Sequence, residues 1–232
     1  MVESTLSSVA GRVTIAEAAL RLAVSQSMVR QLVARGELPA ERLGRRWLVR
    51  ETDVERRRAI GARDGRRLTS ARAWGLLYLA VDMPAPWLSP QVRWRLRRLL
   101  ADRGLGGLHS KLGERGKRQE LRAHPSQIAA LRREPSLMLT GATAASDLRL
   151  GLVGVDTIDA YLDPSAFEDI IRRYHLQPSQ TPNVILRSVV AFTAPWPPER
   201  HAPSSVIALD LIEDAEPRSR QVGEELLRTL PS

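Results

Sequence analysis

Residues 13–49, VTIAEAALRLAVSQSMVRQLVARGELPAERLGRRWLV, contain the local signals that decide the fold of the N-terminal part of the chain. Thr14 is followed three residues later by Glu17, which is the spacing of a capping box at the start of a helix. The apolar residues that follow recur at intervals of three and four, as on one face of a helix. They are Ile15, Ala18, Ala19 and Leu22. The pattern predicts a short helix that begins after Thr14.

A second helix is predicted after a tight turn at Ala23 and Val24, where the Val24 side chain would fill the angle between the two helices. Ser25 is placed to cap the N-terminus of this second helix, and Gly36 is placed to end it. Its inward face consists of Val29, Leu32 and Val33. Its outward face carries long or hydroxyl-bearing side chains, which are Gln26, Ser27, Arg30 and Gln31.

A basic hairpin is predicted beyond the second helix, with strands at residues 38–43 and 47–49 around a tight tip, Gly44-Arg45-Arg46. Trp47 is expected to pack this hairpin against the two helices. Asp53 is expected to cap a further helix. The order helix, turn, helix and basic hairpin is that of a winged helix-turn-helix, which lays its second helix in the major groove of DNA.

This interpretation divides the DNA-facing residues into two sets. Side chains near the N-terminal end of the second helix are placed to contact base edges in the major groove. They are Ser25, Gln26, Ser27, Arg30 and Gln31. Arginines of the hairpin are placed to contact phosphates, which fix the register and the affinity of binding. They are Arg42, Arg45 and Arg46.

Several short motifs within residues 13–55 occur together in one family of DNA-binding modules. They are Thr14-Ile15-Ala16-Glu17-Ala18-Ala19, Val24-Ser25, Val29, Leu32, Gly36-Glu37-Leu38-Pro39 and Gly44-Arg45-Arg46-Trp47. On these motifs the segment resembles the excisionase-like branch of the MerR-type winged helix-turn-helix family. The resemblance implies sequence-directed DNA recognition by Gln26, Ser27 and Arg30, with wing contacts from Arg45 and Arg46. The open alternative is a helix-turn-helix that serves protein contacts.

The composition excludes several classes of protein. None of the 232 residues is cysteine, which excludes a disulfide framework, a thiolate zinc site and a cysteine nucleophile. The first residues have no signal-peptide organisation, and the longest apolar run, residues 74–81, is far shorter than the ~20 residues that span a bilayer. The four histidines are scattered without zinc-ligand spacing. We therefore expect a cytoplasmic protein with no membrane association, no metal and no cofactor.

The net charge of +9 is distributed unevenly along the chain. Residues 1–70 contain 14 arginines and 8 acidic residues, and residues 71–135 contain 13 basic and 5 acidic residues. Residues 136–232 contain 8 arginines and 13 acidic residues, so this last part alone is acidic. The basic part is expected to bind a polyanion with strong salt dependence, and the acidic part is expected to face another partner.

The predicted fold class is α+β, with a winged helix-turn-helix, a helical section and an α/β domain. The parts are residues 1–60 for the winged helix-turn-helix, 61–70 for a charged linker, 71–135 for the basic helical section and 136–232 for an acidic α/β domain that serves partner binding or dimerisation. The patterns of the last part predict helices at 164–174 and after Pro217, and strands at 156–162, 184–190 and 205–211.

The basic section contains a predicted helix at residues 92–100 and further basic residues up to 122. Its inward residues are expected to be Val92, Leu96, Leu99 and Leu100. Its outward residues are expected to be Arg93, Arg95, Arg97 and Arg98. One interpretation is a second contact with the DNA backbone, and the other is a solvated basic face. The sequence leaves both open.

The C-terminal part carries a second set of motifs. They are Leu139-Thr140-Gly141-Ala142-Thr143-Ala144-Ala145, Asp159-Ala160-Tyr161-Leu162, Asn183-Val184-Ile185-Leu186-Arg187, Ala208-Leu209-Asp210-Leu211 and Glu216-Pro217-Arg218-Ser219-Arg220. Taken with the N-terminal module, residues 136–230 resemble the antitoxins of the abortive-infection E (AbiE) type of bacterial toxin–antitoxin system. The resemblance implies a protein that represses its own operon and counters a nucleotidyltransferase toxin encoded beside it.

The acidic residues of the C-terminal part do not form a recognisable active site. Asp156 and Asp159 are three residues apart, which places them on opposite faces of a strand, whereas metal-dependent nucleotidyl transfer needs both carboxylates on one face. Asp210 lies in an apolar segment and is expected to pair with Arg218 or Arg220, because buried acids are usually paired. The sequence predicts no catalytic residue and no enzyme.

Three functions are compatible with these observations. The leading hypothesis is a sequence-specific transcriptional regulator that is also an autoregulating antitoxin, with operator DNA and a toxin protein as partners and a homodimer as one form of assembly. The second is an excisionase-like regulator or architectural protein of a mobile element, with no toxin partner. The third is a degenerate nucleotidyltransferase, which would need Asp156 and Asp159 to bind a metal.

Overall fold

The chain divides into two compact units. They are Met1–Ala62 and Arg63–Ser232. The computed structural model describes residues 11–44, 46–60, 67–112, 115–154, 156–189 and 200–231. The first unit corresponds to the predicted winged helix-turn-helix, and it ends within the predicted linker at 61–70.

The N-terminal unit combines short helices with a small antiparallel sheet. Its elements are β1 (Arg12–Thr14), α1 (Ile15–Arg21), α2 (Gln26–Ala34), β2 (Ala40–Leu43), β3 (Arg46–Arg50) and α3 (Glu51–Ile60). The strand order is β1-β3-β2, so the predicted hairpin gains a third strand from residues that precede α1. The core residues are Val13, Ile15, Ala18, Ala19, Val29, Leu32, Leu38, Val49 and Val54.

The caps predicted at the two helix starts are confirmed. The Thr14 hydroxyl accepts a hydrogen bond from the Glu17 amide at 3.3 Å, and the Glu17 carboxylate accepts one from the Thr14 amide at 2.7 Å. The Ser25 hydroxyl accepts a hydrogen bond from the Met28 amide at 3.2 Å. These bonds satisfy amides that the first turn of a helix otherwise leaves without partners.

Two apolar side chains that were expected in the core are exposed. Val24 is 37% exposed, and Leu22 packs against the core of the unit instead. Trp47 is 42% exposed because it pairs with Arg42 close to the tip of the hairpin, beyond the core that buries Val49 two residues later on the same face. The expectations that Val24 fills the angle between the helices and that Trp47 packs the hairpin on them are therefore wrong.

Asp53 is an internal residue of α3 and not its N-cap, because the helix already begins at Glu51. The Asp53 carboxylate is buried and forms ion pairs with Arg50 at 2.8 Å and with Arg56 at 2.6 Å. It therefore connects the end of β3 to the second turn of α3.

The C-terminal unit places helices around a five-stranded mixed sheet. Its helices are α4 (Ser70–Leu79), α5 (Pro90–Arg103), α6 (Pro125–Leu131), α7 (Gly141–Asp147), α8 (Pro164–Arg173), α9 (Ser204–Ile212) and α10 (Pro217–Thr229). Its strands are β4 (Lys117–Arg122), β5 (Met138–Leu139), β6 (Ile158–Leu162), β7 (Gln177–Pro178) and β8 (Val184–Ser188). The strand order is β5-β6-β8-β4-β7, with β6 and β8 parallel and the other neighbours antiparallel.

The division predicted between residues 135 and 136 lies inside this unit. Strand β4 comes from the basic section and pairs with β8 from the acidic section, for example through Gln119 and Leu186. The sign of the charge changes between the two sections, but charge describes the surface and does not determine which strands pair. The two sections therefore form one unit, to which the basic section contributes a strand as well as helices.

The segment predicted as a strand at residues 205–211 is helix α9, so that prediction is wrong. Every residue from Ser205 to Ile212 is buried. A helix that is buried on all sides has a nearly continuous apolar sequence, and periodicity cannot distinguish such a run from a buried strand. Helix α9 packs against α7 and α10.

The partners of Asp210, which lies in α9, differ from those predicted from the sequence. The Asp210 carboxylate is 1% exposed and accepts hydrogen bonds from Arg115 at 2.9 Å, from the Tyr161 hydroxyl at 3.1 Å and from the Thr140 hydroxyl at 2.6 Å. The expected partners, Arg218 and Arg220, donate instead to backbone carbonyl oxygens. Asp210 is thus buried and paired as expected, but through residues distant in sequence.

Further charged groups extend this buried network. Arg115 also forms an ion pair with Glu213, which accepts a second contact from His109 at 2.8 Å. Burial raises the pKa of Glu213, but Arg115 and His109 outweigh burial and hold this pKa well below its usual value. Arg187 pairs with Asp159. Burial lowers the pKa of Arg187 to about 10, so it stays charged at neutral pH.

Candidate nucleic-acid interface

Helix α2 is held so that one side faces solvent along its whole length. Val29 and Leu32 are buried in the core of the N-terminal unit and fix the rotation of the helix about its axis. The side chains predicted to contact base edges are all exposed. They are Ser25, Gln26, Ser27, Arg30 and Gln31. The structure therefore brings this predicted set together on one accessible surface, with Ser25 also serving as the N-cap.

The turns on either side fix the direction of α2. Ala23 adopts a left-handed conformation with φ of 53°, and the Val24 amide donates to the Ala19 carbonyl oxygen at 3.0 Å. At the other end Gly36 has φ of 67°, a conformation that favours glycine. The Leu38 amide then donates back to the Leu32 carbonyl oxygen at 3.3 Å. Such a fixed helix is suited to enter a groove without losing further conformational entropy.

The hairpin carries the second predicted set. Leu43 pairs with Arg46 at the end of the ladder, and Arg42 pairs with Trp47 one step behind. Arg42 and Arg46 are both exposed, and the Arg42 side chain donates to the Gly44 carbonyl oxygen at 3.2 Å. Arg45, the remaining member of the set, lies outside the described residues.

Arginines on four elements of this unit form ion pairs with carboxylates. The ion pairs Arg12–Glu41, Arg21–Glu51 and Arg57–Glu37 add to those of Asp53 with Arg50 and Arg56. These pairs compensate arginines of β1, α1 and α3, together with the last residue of β3. Salt bridges of this kind reduce the attraction that their arginines exert on phosphates.

Within the described part of this unit, the arginines without a carboxylate partner lie on α2 and the hairpin. Among residues 11–44 and 46–60, no carboxylate forms an ion pair with Arg30, Arg35, Arg42 or Arg46. The elements that carry the two predicted sets are thus also the ones that keep free cations. Charge and position together define a surface that attracts the DNA backbone.

Sequence reasoning did not identify every exposed side chain of this surface. Arg35 is exposed at the C-cap of α2, four residues after Gln31, and the helical spacing alone would have placed it near that residue. Leu43 is 62% exposed and Trp47 42% exposed on the hairpin. Both residues border the predicted tip, Gly44-Arg45-Arg46, and this position could have indicated from the sequence that they lie beyond the core.

Comparison with known proteins gives one family. Residues 13–59 match the model of a family described as a helix-turn-helix domain. No curated protein and no solved structure matches the chain. The N-terminal unit is therefore a helix-turn-helix domain, and the match supports a DNA-binding regulator. The comparisons give no support to the AbiE-type resemblance of residues 136–230.

Asp156 and Asp159, the two acidic residues considered for metal binding, lie in different surroundings. Asp156 is exposed, whereas Asp159 is buried and paired with Arg187. Within the described parts of the chain, no cluster of three or more histidine or acidic side chains is arranged to hold a metal ion. No helix among the described residues is both long and apolar enough to cross a membrane.

Proposed function

We propose that this chain is a sequence-specific transcriptional regulator that reads its operator through α2 and holds the DNA backbone through its hairpin. The observation that carries the proposal is the coincidence of two properties on one surface. The side chains of α2 that face outwards can hydrogen-bond to bases. Among the described residues of the unit, no carboxylate pairs with Arg30 and Arg35 on α2 or with Arg42 and Arg46 near the tip of the hairpin.

Two variants separate base recognition from backbone contact. Arg30→Ala is expected to weaken binding to the operator by about 1–3 kcal/mol and to leave non-specific binding nearly unchanged, because a base contact matters only at the correct sequence. Arg46→Ala is expected to weaken binding to all sequences and to lower the salt dependence of log K by about one unit. The operator is first identified by selection from random DNA. Gel shifts then measure both effects by comparing binding to the operator with binding to a scrambled duplex.

Arg58→Ala provides the matched control, because Arg58 is 67% exposed on α3 and already lies near Glu55. This variant removes the same charge and should leave specificity as it is in the wild type. Equal discrimination between operator and scrambled DNA by Arg30→Ala and the wild type would show that α2 is not the reading helix.

We further propose that the regulator is an autoregulating antitoxin and that the C-terminal unit meets the toxin or a second copy of the chain. The resemblance to AbiE-type antitoxins and the acidic character of residues 136–232 support this role. A protein of this kind acts in the cytoplasm, needs no cofactor and catalyses no reaction. A homodimer would bind an inverted repeat with half-sites ~10 base pairs apart or a multiple of that spacing.

The antitoxin role predicts two separable activities in cells. Expression of the full chain is expected to restore growth when a nucleotidyltransferase encoded beside it is induced, and to repress a reporter driven by the promoter of the operon. Arg30→Ala should lose repression and keep rescue, because it alters only the DNA-reading helix. Absence of rescue together with a neighbouring integrase gene would instead favour the excisionase-like regulator of a mobile element, which the helix-turn-helix match also supports.

A further inference from the structure

Helix α5 of the C-terminal unit presents a second cationic surface that the helix-turn-helix domain does not include. Its inner side is anchored by Leu96, which is 4% exposed, and α5 packs against α4. The side that faces solvent carries Trp94, Arg95, Arg97 and Arg98, which are all exposed. Trp94 is 60% exposed. We call these four side chains the α5 surface.

The arginines of the α5 surface have no carboxylate partner in the part of the unit that the structure describes. Among residues 67–112, 115–154, 156–189 and 200–231, no carboxylate forms an ion pair with Arg95, Arg97 or Arg98. Asp102 is the acidic residue that shares this side of the helix, and it too forms no ion pair with a described residue. By contrast, Arg132, Arg172 and Arg173 each pair with a carboxylate.

The arrangement of the α5 surface suits a row of phosphates. Arg95 and Arg98 are three residues apart and Trp94 and Arg98 four, so their Cβ atoms lie about 5–6 Å from each other. The Arg98 guanidinium lies 5.7 Å from the centre of the Trp94 ring, which holds the cation at the surface instead of over a carboxylate. Ser89 caps the helix and Pro90 begins it, so the surface stands on a rigid element.

We infer that the α5 surface binds the phosphate backbone of double-stranded DNA next to the site that the N-terminal unit reads. The inference rests on the proposed DNA-binding function and extends its footprint. Residues 61–69 are the whole connection between α3 and α4 in the sequence, so DNA bound by the N-terminal unit is present at high effective concentration for α5. A membrane is a poorer partner, because a helix that binds lipid inserts its apolar side, and on α5 that side has Leu96 buried and Val92, Leu99 and Leu100 half-buried in the unit.

The test compares a triple variant with a charge-matched control. Arg95→Gln/Arg97→Gln/Arg98→Gln removes three cations from α5, and Arg133→Gln/Arg149→Gln/Arg228→Gln removes three exposed cations elsewhere in the same unit. The binding of both variants is measured on two duplexes that contain the operator. One duplex is long, and the other is trimmed to the segment that α2 and the hairpin cover. Unchanged thermal melting confirms that both variants fold.

On the long duplex, the α5 variant is expected to lower the slope of log K against log salt by about two to three units, because each phosphate contact contributes about 0.9. On the trimmed duplex it should match the wild type, and the control should match the wild type on both. Equal effects on the two duplexes, an equal effect of the control, or no effect at all would overturn the inference. Lack of operator preference in the wild type would instead overturn the proposed function on which it rests.

Discussion

Asp210→Ala is expected to destabilise the C-terminal unit by about 3–5 kcal/mol, because removal of one partner of a buried ionic network leaves the others buried without compensation. Arg115 would lose one of its two carboxylates, and the hydroxyls of Tyr161 and Thr140 would lose their acceptor. A domain with an ordinary stability of 5–15 kcal/mol would lose a large part of it.

Urea denaturation followed by tryptophan fluorescence measures this effect. Trp74 is fully buried, and its indole N–H donates to the Arg115 carbonyl oxygen at 2.8 Å. The centres of the Trp74 and Tyr161 rings are 4.9 Å apart, so the emission of Trp74 reports on the network. Asp210→Asn keeps an acceptor without the charge and should lose less. Asp156→Ala at an exposed aspartate is the control and should stay within about 0.5 kcal/mol of the wild type. A loss below about 1 kcal/mol in Asp210→Ala would show that the network does not hold the unit together.

Gly223→Val is expected to destabilise the same unit by about 3 kcal/mol, the upper end of the range for overpacking. A Cβ atom at Gly223 would lie 2.7 Å from the Ala208 carbonyl oxygen, 2.8 Å from Leu211 Cβ and 2.9 Å from the Ile212 amide nitrogen. Two of these atoms belong to the backbone of α9, and the third is a Cβ atom bonded directly to it. Because no side-chain rotation can move them, α10 would have to move away from α9.

The alanine variant distinguishes this contact from an effect of helix propensity. Gly223→Ala gains about 0.5–1 kcal/mol from the better propensity of alanine, so it should destabilise less than valine but still melt below the wild type. Glu224→Ala is the control, because Glu224 is the exposed neighbour on the same helix. Calorimetric melting of the full chain compares the three variants. An increase in the melting temperature of Gly223→Ala would mean that the two helices are not in such close contact.

The N-terminal unit could be predicted closely because its determinants are local. A capping box is satisfied within four residues, and Ser25 and Gly36 mark the ends of α2 through bonds to near neighbours. The outward set on α2 follows from the same helical period. The sequence did not predict that Val24 and Trp47 are exposed. Whether an apolar side chain is buried depends on how far the core extends, and the residue type alone does not determine it.

The C-terminal unit was predicted less well because its determinants are distant in sequence. Asp210 meets Arg115 and Thr140 only after the sheet and α9 have assembled, so no local pattern names these partners. Helix α9 is apolar on every side and therefore carries no amphipathic signal. The outward residues of α5 were predicted in part. Arg95, Arg97 and Arg98 are exposed and have no carboxylate partners among the described residues, whereas Arg93 is half-buried and donates to the Ala85 carbonyl oxygen at 3.5 Å. The exposed Trp94 was not predicted.

Because β4 pairs with β8, the C-terminal unit is completed later during synthesis than the N-terminal unit. The N-terminal unit ends at Ala62, so all of its contacts are available once the first quarter of the chain has left the ribosome. The central sheet cannot close until Ser188 has been made, because β8 lies between β6 and β4. At 5–20 residues per second the interval is roughly 6–25 s. A nascent chain therefore completes its helix-turn-helix unit well before the remainder of the molecule can take its final form.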